Sequence, residues 1–436
     1  MIKNKYYLAI DLGASGGRHI IGYQRNDKIV LKEVYRFKTM MEDTADGFVW
    51  NHVRIFNEII HGIKKAFELY PEIVSLAIDT WGVDYVLLNG DKPMPPFYAY
   101  RNKRNIASSE HVNKIIPFAE LYKMTGAQFA TYNTIYQLYA DKREGRLLNA
   151  TDYLMIPSYY TYKLTGIKTH EYTDESTTSL LNPLTGQYAY PLIDLLDLPR
   201  RLFGKIMFAG NYVGELLPEI QKKVGGNCKV VLCASHDTAS AFESTDIDEE
   251  SVFISSGTWS LLGIKTDSPI ISEQSLKANY TNEGGVGYIR FLKNIMGMWV
   301  ANSLKNQLHL AHAYIDKHID SVDYKVTFDI NDISLLAPEN MKKALLKLLE
   351  KCPPQNDLEL FASIYRSMAI SYSNAIKELE NITNRTFKKI VIVGGGSKNK
   401  YLNSLVEEYT GKKVIVGSTE ATALGNIKMQ MKANKD

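Results

Sequence analysis

The stretch of sequence that decides the fold reads AIDLGASGGR and spans residues 9–18. It begins at the end of an apolar run, residues 6–10. After that run come Asp11 and a turn of glycine and small residues. Such turns leave backbone N–H groups uncovered, and those groups hold phosphate oxygens. The run after the turn, residues 19–23, is typical of a strand. The stretch therefore predicts two strands joined by a phosphate-binding turn with a carboxylate beside it.

The chain on the C-terminal side of this turn continues the same fold. A third strand is predicted at residues 29–37, and apolar residues at helical spacing predict a helix over 53–67. Pro71 ends that helix, and residues 74–78 form the next predicted strand. The predicted order is strand, strand, strand, helix, strand.

A similar order returns in the second half. Strands are predicted at 252–255, 259–264 and 288–292, with a helix from about Ile295. The later segments are helices at 358–379, 401–409 and 421–431 and strands at 390–393 and 414–416. This repeat predicts a duplicated α/β domain, with domains at 1–244 and 245–436 divided in the polar stretch 242–250.

Composition excludes several classes of protein. The chain has 436 residues with a net charge of +3, so a nucleic-acid role has no electrostatic support. It has 3 cysteines and no CxxC pair, which argues against a disulfide framework and a cysteine zinc site. Its first apolar run is too short for a signal peptide, and no run approaches the ~20 residues of a membrane span. We therefore expect a cytoplasmic protein.

Three turns, counting the first, share one composition of glycine and small hydroxyl residues: residues 13–17, 255–258 and 394–397. Any one of them could be an ordinary tight turn, but three at strand ends favour a nucleotide. The chain lacks the G-x-G-x-x-G helix opening of dinucleotide-binding folds and the Walker A loop. What remains is the actin, hexokinase and Hsp70 type of ATP fold, which leaves a kinase and a chaperone both open.

Residues 79–84, DTWGVD, follow a predicted strand. Trp81 offers a flat apolar face and Gly82 an uncovered backbone, a combination that suits a polyhydroxylated ligand. The alternative is a core tryptophan beside a turn.

Residues 235–238, SHDT, follow a strand predicted at 230–233 and open a predicted helix. Asp237 is a candidate general base, because an ordinary carboxylate with a pKa of about 4 is ionised at pH 7 and phosphoryl transfer needs little more. Helix capping by Ser235 or Asp237 is the alternative. We expect His236 to contact a sugar and not to transfer a proton.

Two further segments are less informative. Asn294 lies near the predicted helix start, where capping is an alternative role. Gly425 and Asn426 lie inside a predicted helix, where glycine costs about 1 kcal/mol, so close packing against a nucleotide or a sheet is expected.

These motifs together resemble the FGGY carbohydrate kinases. The segments that carry the resemblance run from end to end of the chain: 9–15, 79–84 with 100–101, 132–138, 234–240, 255–261, 292–297, 393–396 and 420–426. The resemblance implies two ribonuclease-H-like α/β domains of the actin, hexokinase and Hsp70 type with a cleft between them. It implies ATP-dependent phosphorylation of L-rhamnulose at its 1-hydroxyl, with another ketose such as L-fuculose or L-xylulose as the alternative and no protein partner.

The resemblance also assigns residues. Asp237 corresponds to the base, and Asp11 to the aspartate on the side of Mg²⁺. The sugar contacts that it implies are Gly82, His236, Asp237, Thr238 and Asn294, and Trp81 is our candidate for the sugar's methyl group. The ATP contacts that it implies are Ala14, Ser15, Gly16, Gly17, Arg18, Thr258, Asn302 and Gly395.

Three positions depart from the family pattern. Gly16 stands where we expect serine, Asn302 where we expect glutamine, and Asn102 where we expect aspartate. The first change removes a hydroxyl and keeps the backbone of the turn.

Overall fold

The computed structural model describes residues 5–39, 41–336 and 338–435. The chain divides into two compact units. The first unit contains the described residues up to Thr245, together with Thr266–Phe291 and the segment from Ala421 onward. The second unit contains Asp246–Lys265 and Leu292–Glu420. The predicted boundary at residue 244 stays a prediction.

The strands, in chain order, are β1 (Tyr6–Gly13), β2 (Gly16–Arg25), β3 (Lys28–Phe37), β4 (Met41–Thr44), β5 (Gly47–Trp50), β6 (Ile73–Thr80), β7 (Tyr85–Asn89), β8 (Lys92–Pro93), β9 (Asp152–Met155), β10 (His170–Glu171), β11 (Leu181–Asn182), β12 (Gln187–Tyr188), β13 (Ile206–Met207), β14 (Tyr212–Glu215), β15 (Lys229–Val231), β16 (Ser251–Ser256), β17 (Trp259–Thr266), β18 (Thr281–Gly284), β19 (Ile289–Met296), β20 (Lys389–Val393) and β21 (Lys413–Val416).

The helices, in chain order, are α1 (His52–Leu69), α2 (Arg104–Ile115), α3 (Phe118–Thr125), α4 (Thr134–Arg143), α5 (Ile156–Thr165), α6 (Tyr172–Glu175), α7 (Tyr190–Leu195), α8 (Pro218–Val224), α9 (Asp237–Glu243), α10 (Glu273–Lys277), α11 (Trp299–Gln307), α12 (His312–His318), α13 (Met341–Leu348), α14 (Asp357–Thr383), α15 (Lys400–Thr410) and α16 (Ala421–Ala433). Within the described ranges, none of these helices is both long and apolar enough to cross a membrane.

The main sheet of the first unit runs in the order β14-β15-β6-β1-β2-β3. Strands β1 and β2 are antiparallel, whereas β1, β6 and β15 are parallel neighbours. The strand β1 is buried over most of its length, as expected for a strand with both faces covered. The apolar stripe of α1 packs into the same core through Ile55, Ile59 and Ile63.

The sheet of the second unit repeats this pattern. Strands β17 and β16 are antiparallel neighbours, and β16, β20 and β21 are parallel neighbours. The repeat predicted from the order of strands is therefore present in the pairing. Since parallel strands end at the same edge of a sheet, each unit gathers its turns on one edge.

The helix α16 belongs to the first unit and packs on its sheet. Ile427 joins Tyr7 and Ile20 in one cluster. A Cβ at Gly425 would lie 1.7 Å from the carbonyl oxygen of Ser240 in α9. Glycine is thus required by the close approach of two helices, and neither of the two explanations predicted for it is needed.

Three predictions of local structure are wrong. Asp11 and Arg18 lie inside β1 and β2, so the first turn is shorter than predicted, because the two strands keep pairing as far as Gly13 and Gly16. The helix predicted from Ile295 begins at Trp299, since β19 continues to Met296. Asn294 consequently lies in a strand and not at a helix start.

Candidate active site

The predicted residues of the first unit lie at the carboxyl ends of its parallel strands. Asp11 lies two residues before the end of β1, and Trp81 and Gly82 follow β6 directly. The segment before α9 lies beside β6, because the Thr80 N–H donates to the Ser235 carbonyl oxygen at 2.8 Å and Thr80 pairs with His236. The sheet therefore brings the two sequence motifs around Gly82 and Asp237 together.

The turn between β1 and β2 is built for glycine. A Cβ at Gly16 would lie 2.9 Å from the Phe37 carbonyl oxygen, and one at Gly17 would lie 2.4 Å from the Phe37 ring. The departure at Gly16 from the expected serine therefore has a steric reason. Arg18 and Asp11 form an ion pair next to this turn, with the Asp11 side chain nearly buried.

A second carboxylate lies beside Asp11. Asp79 is its register partner on β6 and is fully buried. Its Oδ2 accepts a hydrogen bond from Asn426 Nδ2 of α16 at 2.6 Å, whereas its Oδ1 has no hydrogen-bond partner within the described residues. Burial and then the negative charge of Asp11 hold the pKa of Asp79 well above its usual value.

Trp81 is a buried residue with 7% exposure. Its ring packs on Trp50 with a centroid distance of 4.4 Å. Both indole N–H groups donate to Asp84 Oδ2, Trp50 at 2.7 Å and Trp81 at 2.9 Å. Burial raises the pKa of Asp84 to about 6, although these donors oppose the rise. The Trp81 side chain thus packs in the core and donates a hydrogen bond there.

The backbone after Gly82 is strained. Val83 has a φ of 69°, a left-handed conformation that a β-branched residue rarely adopts. Hydrogen bonds hold it on both sides: its N–H donates to Thr177 Oγ1 at 3.1 Å, and its carbonyl accepts from Thr134 Oγ1 at 2.7 Å. The neighbouring Gly82 backbone is therefore fixed in position.

Asp237 opens α9, and the residue at the cap position is His236. Among the described residues, no side-chain hydrogen bond caps this helix, so neither Ser235 nor Asp237 has the capping role considered above. The Asp237 side chain is 33% exposed. Its Oδ1 accepts a hydrogen bond from Thr238 Oγ1 at 3.0 Å. Burial raises its pKa, His236 lowers it and the charge of Asp11 raises it.

A buried carboxylate holds the segment that precedes Asp237. Glu171 Oε2 accepts hydrogen bonds from the backbone N–H and the hydroxyl of Ser235 and from the same two groups of Thr173. The Thr173 hydroxyl oxygen in turn accepts from the His236 backbone N–H at 3.3 Å. The position of Asp237 is therefore set by the turn at Glu171 as well as by its own helix.

A second buried carboxyl group, Asp174, lies in the same turn. Both of its carboxyl oxygens have no hydrogen-bond partner within the described part of the chain. Burial raises the pKa of Asp174 well above its usual value, and the charges of Glu175, Glu171 and Asp237 add to the rise. The neutral acid is the form that this environment favours.

The second unit holds two of the three predicted turns. They follow β16 and β20, which are parallel neighbours with Ser255 opposite Val393. Gly394 has a φ of 82°, and a Cβ at Gly396 would lie 2.0 Å from Ser256 Oγ. By contrast, a Cβ at Gly395 would meet no other atom of the described chain within 4 Å. Gly395 is therefore open on the side where a ligand could lie.

The start of α11 lies against the turn at Thr258. The Met298 N–H donates to the Gly257 carbonyl oxygen at 2.9 Å, and the Trp299 N–H donates to that of Thr258 at 3.2 Å. Thr258 is exposed, and Asn302 lies half-buried in α11. Asn294 of β19 is half-buried too, and its Oδ1 has no hydrogen-bond partner in the described ranges.

Sequence reasoning missed four residues around Asp237: Glu171, Asp174, Glu283 and Arg290. Arg290 is fully buried beside Glu283, and both contact His236. The sequence does contain one indication of such a residue. Arg290 is charged and lies in an apolar run that predicts a buried strand, and a buried charge requires a polar partner. The two acids in 171–174 carry no comparable pattern.

The site fits a magnesium ion that arrives with a nucleotide. Asp11 and Asp79 are adjacent carboxylates, and one oxygen of Asp79 is unpartnered. Across the part of the chain that the structure describes, no group of three or more His, Cys, Asp or Glu residues could hold a metal by itself. Mg²⁺ commonly keeps several waters and binds through one or two carboxylates and substrate phosphates, which agrees with this arrangement.

Comparison with known proteins agrees with these features. The family model of the FGGY family of carbohydrate kinases, N-terminal domain, matches residues 6–242, and its C-terminal counterpart matches 252–434. A rhamnulokinase from Oceanobacillus iheyensis is 41% identical over 435 residues, which cover 98% of this chain and 93% of the relative. One from Halalkalibacterium halodurans is 38% identical with the same coverage.

A solved structure of a ligand-bound xylulose kinase from Lactobacillus acidophilus matches with a TM-score of 0.82 at 17% identity, covering 99% of this chain and 90% of that chain. This likeness concerns the fold. The predicted fold class, two α/β domains of the sugar-kinase and actin type, is confirmed.

Proposed function

Because this chain belongs to the FGGY family of carbohydrate kinases, we propose that it transfers the γ-phosphoryl group of ATP to the 1-hydroxyl of L-rhamnulose. The observation that carries the proposal is the placement of Asp237: a one-third-exposed carboxylate that accepts from Thr238 Oγ1 and directly follows His236, which pairs with Thr80 just before Gly82. The relatives named rhamnulokinase support L-rhamnulose as the sugar. The enzyme is a carbohydrate kinase.

Asp237 acts as the general base. Oδ1 already accepts from Thr238, so Oδ2 is the oxygen that takes the proton of the 1-hydroxyl. The transition state of phosphoryl transfer is loose and the hydroxyl loses its proton late, so a carboxylate is a sufficient base. The hydrogen bonds from Ser235 to Glu171 hold the segment that precedes this carboxylate.

Sugar contacts come from Gly82, His236, Thr238 and Asn294, with Trp81 against the methyl group at C6. The strained backbone at Val83 supports a fixed position of the Gly82 peptide. Buried polar contacts of this kind discriminate between sugars, because a missing hydroxyl leaves its partner unpaired. The unpartnered Asn294 Oδ1 is suited to a hydroxyl donor.

ATP contacts come from the glycine turns. In the second unit they are Thr258, Gly395 and Asn302, where the open space at Gly395 leaves room for a phosphate group against the turn. In the first unit the contacts are Ala14, Ser15, Gly16, Gly17 and Arg18. Asn302 is shorter by one methylene than the glutamine expected there, so its contact is the weakest of these assignments.

Asp11, with Asp79 beside it, would hold a magnesium ion that arrives with the nucleotide. When bound, the ion neutralises charge that develops on the transferred group. Arg18 pairs with Asp11 and orients it. We also assign the enzyme to the cytoplasm, since its three cysteines are free thiols, as is usual in a reducing compartment.

The test is a panel of purified ketoses with coupled detection of ADP, followed by phosphorus and carbon NMR of the product. We expect L-rhamnulose to give the highest kcat/KM and its phosphate to be on C1. A higher kcat/KM for L-fuculose or L-xylulose would make that ketose the substrate, and the assignment as a carbohydrate kinase would stand. ADP release that no sugar stimulates would overturn the proposal.

A further inference from the structure

We propose that Arg290 is a positioning residue for Asp237: it holds His236 as the tautomer that carries hydrogen on Nε2, and this N–H faces Asp237 Oδ1. The inference rests on the proposed function in one respect, that Asp237 is the base. The tautomer itself can be measured without any activity.

Arg290 is held rigidly within the first unit. It is fully buried, and its Nε donates to the Gly284 carbonyl oxygen at 2.7 Å. Its Nη2 lies 3.1 Å from Glu283 Oε2 and 3.5 Å from the Thr173 carbonyl oxygen. Burial alone would raise the pKa of Glu283, but the Arg290 guanidinium and then His236 bring it below its usual value. The pair is therefore ionised, and its charges compensate each other.

The remaining guanidinium nitrogen fixes the imidazole of His236. Arg290 Nη1 donates to His236 Nδ1 at 3.2 Å. A guanidinium has donors only, so the Nδ1 that it contacts must be an acceptor without hydrogen. Glu283 Oε2 is 3.4 Å from the same Nδ1, yet it has no hydrogen-bond partner within the described residues. The geometry thus favours the contact with Arg290 over a hydrogen bond to Glu283.

The consequence appears at the other ring nitrogen. A neutral imidazole without hydrogen on Nδ1 carries it on Nε2. His236 Nε2 lies 3.5 Å from Asp237 Oδ1, the oxygen that already accepts from Thr238. The hydrogen bond from Thr238 and an N–H that faces Oδ1 from 3.5 Å both favour the charged carboxylate, and they leave Oδ2 for the substrate. An imidazole that presents N–H to the base cannot compete with it for the proton.

Other charged groups lie near His236 and Asp237. They are Asp11, Asp79, Arg18, Glu171, Asp174, Glu283 and Arg290, and all of them stay unchanged in the variants below except the one that a variant itself replaces. Each variant is therefore compared with the parent over one pH range and in one buffer.

The first test is the nitrogen NMR spectrum of the full chain labelled at histidine, with the His236 signals assigned by their loss in His236→Gln. At pH 8 we expect an unprotonated Nδ1 and a protonated Nε2. In Glu283→Gln the same tautomer should persist. Hydrogen on Nδ1 at pH 8 would overturn the proposal whether or not the protein is a rhamnulose kinase.

The second test compares two amides at position 236. Glutamine places its amide near the Nε2 position and keeps a donor for Asp237, whereas asparagine reaches only the Nδ1 position. Because both variants also lose a proposed sugar contact, they are compared by kcat at saturating sugar. We expect His236→Asn to lower kcat by about 100-fold, the scale of a misplaced catalytic group, and His236→Gln to lower it by about tenfold. The acid limb of the kcat/KM profile should move to higher pH in His236→Asn alone, since a lost donor raises the pKa of Asp237. Equal losses of activity in His236→Asn and His236→Gln, with the acid limb of neither pH profile shifted, would contradict the proposal.

The third test is Arg290→Lys, with the exposed Arg200→Lys as its matched control. Lysine keeps the charge beside Glu283 but cannot reach Gly284 and His236 together. We expect a mixed tautomer of His236 and a raised acid limb in Arg290→Lys, and neither change in the control. An unchanged tautomer in a folded Arg290→Lys protein would remove Arg290 from this role.

Discussion

The surroundings of Asp237 in the first unit and the glycine turns of the second unit differ in charge and in burial. Around Asp237 the chain buries Asp79, Glu171 and Asp174, together with the ion pair of Glu283 and Arg290. The turns after β16 and β20 expose Gly257, Thr258 and Gly395, and residues 255–258 and 394–397 include no carboxylate.

The difference follows from what each region is proposed to bind. A sugar is neutral and presents hydroxyl groups, so selecting it and removing one proton requires charged and polar side chains held in fixed directions. A triphosphate is strongly negative, so carboxylates close to it would cost binding energy and backbone N–H groups serve better. We therefore expect changes in the first region to affect turnover and changes in the second to affect ATP affinity.

The largest effect should come from Asp237→Asn. Loss of the base should lower kcat by about 10³-fold or more, while ATP affinity stays within about twofold. Steady-state kinetics and an ATP-dependent thermal shift measure the two quantities. Asp323→Asn, an exposed residue of the second unit, is the control and should match the parent. Near-normal turnover in Asp237→Asn would show that Asp237 is not the general base.

The next effect distinguishes two neighbouring glycines. Gly395→Val should leave the melting temperature within about 1 °C, because its Cβ has open space, yet raise the KM for ATP by about tenfold. Gly396→Ala should instead lower the melting temperature, because Ser256 must move. If Gly395→Val changes neither ATP affinity nor turnover, the nucleotide does not lie against this turn.

A third effect concerns stability and its dependence on pH. The folded-state pKa of Asp174 lies above the unfolded value near 4, so the folded protein retains a proton that the unfolded chain releases, and this residue's contribution to stability falls as pH rises through that window. Asparagine removes the penalty. We expect Asp174→Asn to raise the melting temperature by a few degrees at pH 8, with a gain that disappears toward pH 4.

The matched control for that experiment is Asp194→Asn. A hydrogen bond from Arg200 lowers the pKa of Asp194, so its substitution should give no gain at pH 8 and at most a small loss. A lower melting temperature for Asp174→Asn than for the parent at pH 8 would show that the ionised Asp174 is favoured in the folded state.

The smallest effect should come from Trp81→Phe. Phenylalanine keeps an apolar ring for the sugar's methyl group but loses the N–H donor to Asp84, so we expect a stability loss of about 1–3 kcal/mol and a rise of about threefold in the KM for L-rhamnulose. Trp50→Phe removes the equivalent donor and should change stability only. Identical KM values in the two variants would exclude Trp81 as a sugar contact.

Much of this arrangement could be predicted from local sequence. The turn at 13–17, the apolar strands and the turn residues at strand ends have short-range signatures, and they led to the fold class. The end of β19 could not be found this way, because residues 293–296 satisfy a strand and a helix start about equally well. Pairing with a neighbouring strand decides such a case, and pairing partners are distant in the chain.

The candidate site was only partly predictable for the same reason. Asp237 and Gly82 stand in recognisable motifs. Glu171 contacts Ser235, and Arg290 contacts His236, each across more than 50 residues of chain. A single sequence does not show which distant residues come into contact. Trp81 shows the converse, since its motif indicated a ligand and the fold uses its N–H group for Asp84.

Hydrogen–deuterium exchange, read peptide by peptide, tests the central claim most directly. L-rhamnulose alone should slow exchange in the peptides that contain Gly82 and residues 236–238, and a non-hydrolysable ATP analogue should slow it at 255–258 and 394–397. Protection by L-rhamnulose that is absent from the Gly82 and Asp237 peptides, or protection by the analogue that spares both glycine turns, would contradict the account.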